Sequence, residues 1–112
     1  MKISLNKNKI DIKVKTLSTA GKFAGLMFKS ENSGNLLFKF SKPARHPIHS
    51  FFVFFPFLAV WLNKKNKVLD FKIVHPWKLS VTPKTPFANL IEIPINRKNQ
   101  KIIKFFVDKG KV

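Results

Sequence analysis

Residues 51–62 read FFVFFPFLAVWL, twelve apolar residues with no charge among them. A helical bilayer span needs about 20 such residues, and Pro56 breaks this run by removing a backbone donor. Its length instead fits two adjacent buried strands separated at the proline. The reading is therefore one strand over Ile48–Phe55, apolar on both faces and so central or barrel-forming, and a second over Phe57–Leu62.

The flanking sequence supplies partners. Asn63-Lys64-Lys65-Asn66 is a polar turn, after which Leu69, Phe71 and Ile73 alternate in a strand over Lys67–Val74. Upstream, Leu36, Phe38 and Phe40 mark a strand that ends in the basic, proline-punctuated loop Ser41–Pro47. Downstream, His75-Pro76-Trp77 is a break, Val81–Pro86 a connection, and Phe87–Ile93 a strand stopped by Pro94. At the N-terminus, Ile3 and Leu5, then Asn6-Lys7-Asn8, then Ile10, Ile12 and Val14 form a hairpin signature with one wet face.

Two helices are predicted. Ser18 or Thr19 caps the first, whose stripe is Ala20, Phe23, Ala24 and Met27. Gly21 and Gly25 weaken it by about 1 kcal/mol each relative to alanine. The second covers Arg97–Phe106, with Ile102, Ile103 and Phe106 on one side, and Asp108–Lys111 is a closing turn. The expected fold is mainly β (β-rich α+β), a small barrel or strongly bent antiparallel sheet with one or two short helices, in one domain over residues 1–112.

The charge is unusual for such a chain. Its 112 residues hold 22 Lys+Arg against 5 Asp+Glu, a net charge of +17, while 45% of them are hydrophobic. That apolar content excludes a disordered basic tail. The absence of cysteine excludes disulfides, zinc ribbons and thiol catalysis. The opening MKISLNKNKIDIK lacks the apolar core of a secretory signal, so the expected location is the cytoplasm; contact with a membrane surface is not favoured, because burial explains the phenylalanines. Only Arg45 and Arg97 are arginine. Lysine gives a diffuse field rather than two-point recognition. Two readings stand: an anionic partner, RNA or a ribonucleoprotein surface first, or compositional drift that left a solvated lysine surface. The candidate anion-binding residues are Lys64, Lys65 and Lys67 on the turn, Lys72 and Lys78 beside the break, and Lys98, Lys101 and Lys104 at helical spacing.

Catalytic sets are lacking. The acids are Asp11, Glu31, Asp70, Glu92 and Asp108. Glu92 alternates with Ile91 and Ile93 and is expected to be an exposed strand residue. His46 and His49 flank Pro47, which argues against the helical spacing a metal site uses; Ser50 beside His49 points to the opposite face of a strand. The glycines open no phosphate loop. No catalytic residue, metal or cofactor is expected. A reading of another class is a module that takes a small ligand or protein segment in a barrel-end pocket near Lys22, His49 and Trp77.

Several segments occur in a familiar order: Gly25-Leu26-Met27-Phe28, Leu36-Leu37-Phe38-Lys39-Phe40, Ile48 to Pro56, Val60-Trp61-Leu62-Asn63, His75-Pro76-Trp77, and ANLIEIP at Ala88–Pro94. Together they resemble the small-protein family catalogued as domain of unknown function 192, in its archaeal style, from about residue 16 to the end. The resemblance implies a compact, mainly β domain with a short helix carrying the GLM segment, and no settled activity. Two positions depart from the family pattern. Lys22 stands where the family usually has arginine, and Leu58 where it commonly has aspartate. Any chemistry relatives perform with that carboxylate is closed to this chain.

Overall fold

The computed structural model describes residues 1–17, 34–44, 53–78 and 80–110, with 41–44 as backbone. The first predicted helix, the loop after Ala44 and most of the predicted strand 48–55 lie outside these residues.

The hairpin forms over a shorter stretch than its alternation suggests: its second strand ends at Asp11, and Val14, expected on it, belongs to the main sheet, because alternation does not say which partner a strand pairs with. Strand β1 (Lys2–Leu5) pairs antiparallel with β2 (Asn8–Asp11), placing Leu5 opposite Asn8. Asn6 and Lys7 fill the two-residue loop with φ of 49° and 69°, the left-handed pair that matches the twist of the strands. Asn8 Nδ2 donates to the Asn6 carbonyl at 3.0 Å and steadies that loop.

Five further strands make the main sheet: β3 (Val14–Thr16), β4 (Asn35–Ala44), β5 (Phe57–Leu62), β6 (Val68–Val74) and β7 (Phe87–Pro94), in the order β3-β4-β7-β5-β6. Strand β3 runs parallel to β4, and the other neighbours are antiparallel. All six residues of β5 are buried, because β5 lies inside the sheet and both of its faces are covered. One face carries Phe57, Ala59 and Trp61 with Leu36, Phe38 and Leu90. The other carries Leu58, Val60 and Leu62 with Leu37, Ile91 and Ile93, beneath Ile3, Leu5 and Ile12 at the hairpin. Leu58, where the resemblance would place an aspartate, is thus an apolar core position.

The C-terminal segment packs on that second face. Arg97–Asn99 is a 3-10 turn, started by Asn96 Oδ1, which accepts from the Asn99 backbone at 3.0 Å. Helix α1 (Gln100–Lys109) follows and buries Phe106. The Phe106 ring lies 5.1 Å from that of Phe71 on β6. Gly110 closes the helix where a Cβ would strike both the Phe71 ring and the Phe106 carbonyl oxygen. Asn6 Nδ2 donates to the Lys109 carbonyl at 3.0 Å, joining the hairpin loop to the helix end.

Three expectations are corrected. Among the described residues the sheet is open, with β3 and β6 at its edges, so of the two expected forms the sheet stands and the barrel does not. At Asp70 and Lys72 the outer side of β6 meets the connection to β7: Asp70 accepts from the Lys84 backbone at 3.1 Å and Lys72 donates to the Thr82 carbonyl at 2.9 Å. Val53–Phe55 stand outside the sheet; Val53 and Phe55 turn onto its first face while Phe54 is exposed, so their apolar character covers a sheet rather than forms one. Finally, Asp108 and Lys109 belong to the helix, which extends into the first half of the predicted closing turn. Among the described residues no helix is long and apolar enough to cross a membrane.

Candidate anion-binding site

The turn between β5 and β6 is held from several directions. Asn63 Oδ1 accepts from the backbone of Lys65 at 2.8 Å and of Lys67 at 3.0 Å. Asparagine suits this role because its short side chain mimics a backbone acceptor. Asn66 adopts φ 61°, which asparagine tolerates better than most residues. Its carbonyl accepts from Ser4 of the hairpin at 3.0 Å, and its Oδ1 accepts from Asn89 Nδ2 on β7 at 3.1 Å. The side chains of Lys64, Lys65 and Lys67 are exposed while the backbone beneath them is fixed.

These lysines border two adjoining cavities. One, of about 400 Å3, is lined by Asn63, Lys64, Lys65, Lys67, Pro86 and Ala88. The other, of about 470 Å3, shares Lys64 and Ala88 with it and extends over Asn66 and Asn89 to Lys39 and Leu37. Lys39 reaches this place through sheet register: it pairs with Asn89, which pairs on its other side with Leu62.

The remaining candidate lysines sit on other elements. Lys72 is exposed on β6, with its Nζ engaged by Thr82. Lys78 is exposed just beyond the His75-Pro76-Trp77 break. Lys98, Lys101 and Lys104 are exposed on the 3-10 turn and α1, and only Lys104 of these three borders a third cavity, of about 420 Å3, with Ile95, Ile103 and Val107. Trp77 is 49% exposed and holds φ 64°, a region a bulky side chain rarely enters. Its ring meets that of Phe54 edge to face at 5.7 Å. Lys22 and His49, the other two members of the proposed Trp77 pocket, lie outside the described residues, as does His46.

Among the described residues the acids are dispersed. Asp11 accepts from the Met1 amino group at 2.9 Å. That hydrogen bond first, and the ammonium charge second, hold its carboxyl below the ordinary value. Asp70 accepts from the backbone of Phe71 and Lys84. Glu92 is buried, contrary to its expected exposure. Its register partners are Ala59 and Leu36, so it stands on the first face amid the core. Alternation in β7 called it polar-outward, yet that face is covered too. Among the described residues no three His, Asp or Glu side chains cluster in a way that would hold a metal ion.

Sequence reading did not single out Lys39, Asn66 or Asn89 for the site. A signal was present for two of them: Lys39 interrupts the apolar strand LLFKF, and Asn89 is, with Glu92, one of two polar residues in FANLIEI. Nothing local says that they pair.

The family model for DUF192, described as uncharacterized ACR, matches residues 1–105. The chain belongs to this family. A UPF0127 protein of Thermococcus kodakarensis is 35% identical over 86 residues, which cover 74% of this chain and 54% of that protein. The chain thus spans about half the length of this curated relative. Two solved structures share the fold at 13% identity, each over 90% of this chain. One is a protein of unknown function from Novosphingobium aromaticivorans, with a TM-score of 0.71 over 74% of its own chain. The other, from Sinorhizobium meliloti and named as a candidate transcription regulator, gives 0.74 over 81%.

Proposed function

We propose that this DUF192 member is a non-enzymatic binding module for an anionic partner, RNA or a ribonucleoprotein surface, working in the cytoplasm. The observation that carries the reading is the β5–β6 turn. There, three exposed lysines on a hydrogen-bonded backbone border two adjoining cavities, one of them with Lys39 on its wall. Fixing the backbone places the charges at no further ordering cost to the main chain, and closely placed cations raise the local concentration of a polyanion. Exposed lysine also retains the flexible, point-charge character suited to phosphate contacts without sequence readout.

The test is binding of single-stranded RNA across a salt series. Affinity falls with salt at a log–log slope of about −0.7 for each phosphate neutralised. The Lys64→Glu, Lys65→Glu double variant weakens binding about tenfold or more and makes the slope shallower by about two contacts, without unfolding. Salt-independent affinity, or no binding at low salt, overturns the reading. An unchanged slope in the double variant removes the turn from the site.

A further inference from the structure

Among the described residues, nothing covers the second face of the main sheet to its end. The hairpin and α1 lie over Leu58, Val60, Ile91 and Ile93. Nearest the β5–β6 turn, where Lys39 pairs with Asn89, the same face opens into the cavity of about 470 Å3. That size falls in the range of small-molecule sites, about 300–1,000 Å3.

The lining is chemically divided. Met1, Val14 and Leu37 offer an apolar wall, and Lys39 and Lys64 offer two ammonium groups. Among the described residues no carboxylate lines it to neutralise them. Asn66 and Asn89 add two amides already joined through Asn89 Nδ2 and Asn66 Oδ1. That bond leaves both hydrogens of Asn66 Nδ2, and the Oδ1 and second hydrogen of Asn89, to face a ligand. A bare inorganic anion would leave the apolar wall and the amides unused. A neutral apolar ligand would desolvate two ammonium groups without a partner.

We infer that this cavity binds a nucleoside monophosphate unit. The phosphate lies between Lys39 and Lys64, the base lays its face on the Leu37 and Met1 wall, and its edge meets the Asn66–Asn89 amides. Adenine suits the amides, because its N6 donor and N7 acceptor match the acceptor and donor of an asparagine side chain. The unit is either a free nucleotide or the terminal nucleotide of an RNA chain. The site shares Lys64 with the polyanion reading but does not depend on a polymer.

The experiment is nitrogen-15 NMR of the full chain titrated separately with AMP, adenosine, inorganic phosphate and a short RNA. AMP shifts the side-chain amide signals of Asn66 and Asn89 and saturates with a Kd of about 1 mM or tighter, while adenosine and phosphate each bind about tenfold more weakly or worse. Lys39→Ala weakens AMP about fivefold, and Lys39→Arg restores most of the loss. RNA that moves the same amides and is displaced by AMP identifies a terminal nucleotide as the occupant; RNA that leaves them unmoved identifies a free nucleotide. Both outcomes sustain the site. Amides unmoved by AMP and RNA alike overturn it, and so does phosphate that matches AMP in shifts and affinity. Loss of salt-dependent RNA binding with the AMP response intact would remove the polyanion reading alone.

Discussion

Two lysine-rich elements of this molecule differ in everything but composition. The β5–β6 turn carries Lys64, Lys65 and Lys67 on a backbone tied to Asn63, to the hairpin and to β7. The C-terminal segment carries Lys98, Lys101 and Lys104 at a spacing of three, where like charges on a helical surface repel weakly. Its inner side is occupied with packing through Ile102, Ile103 and Phe106. The turn sets its charges beside concave space, whereas the helix sets most of its charges against water. Net charge therefore does not locate a site; a cation gains binding meaning from the backbone and cavity that hold it.

The sharpest way to break this contrast is to ask what α1 is for. If its role is to cover the sheet, Phe106→Ala destabilises the fold by about 3–5 kcal/mol in a denaturant titration, and Phe106→Leu, which keeps most of the volume, costs about 1 kcal/mol. Equal, small losses would mean that α1 is a detachable basic arm. Next in size is charge reversal. Lys98→Glu with Lys101→Glu lowers RNA affinity by less than about threefold, against about tenfold or more for the turn double variant. Equal losses would show that the number of charges matters and their placement does not. A finer test loosens the turn while keeping its charge. Asn63→Ala removes the acceptor of two backbone N–H groups, costing about 1 kcal/mol of stability and weakening RNA a few-fold at constant salt slope, since no phosphate contact is lost. The smallest effect concerns the hairpin tether. Asp11 is held below its ordinary value by the Met1 ammonium. Its contribution is present above the unfolded carboxylate value of about 3.9 and is lost as pH falls through the lower folded value. NMR titration of the Asp11 carboxyl should give a midpoint under that reference, and a midpoint at or above it would refute the tether.

Local pattern was enough for much of the fold. The alternation of Ile3, Leu5 and Ile10 around Asn6-Lys7 gave the hairpin, the unbroken FLAVWL gave β5, and the spacing of Ile102, Ile103 and Phe106 gave a helix side. The same logic failed at Glu92, where alternation signals only which residues share a face and not whether that face is wet. It also failed at Val53–Phe55, since an apolar run that covers a sheet reads like one that forms it. For the site, Lys64, Lys65 and Lys67 were visible as a charge-dense turn. Lys39, Asn66 and Asn89 were not, because their neighbourhood depends on pairings between residues distant in the chain.

By itself the sequence determined most of the strands, the hairpin turn, the C-terminal helix, the family and the excess of lysine, because periodicity, turn chemistry and composition act over a few residues at a time. The tertiary structure alone decided that the sheet stays open, that Leu58 and Glu92 face opposite sides of the core, and that Lys39 meets the β5–β6 turn across one cavity. Those outcomes follow from strand order and register, and shifting a strand by one residue would send every side chain on it to the other face.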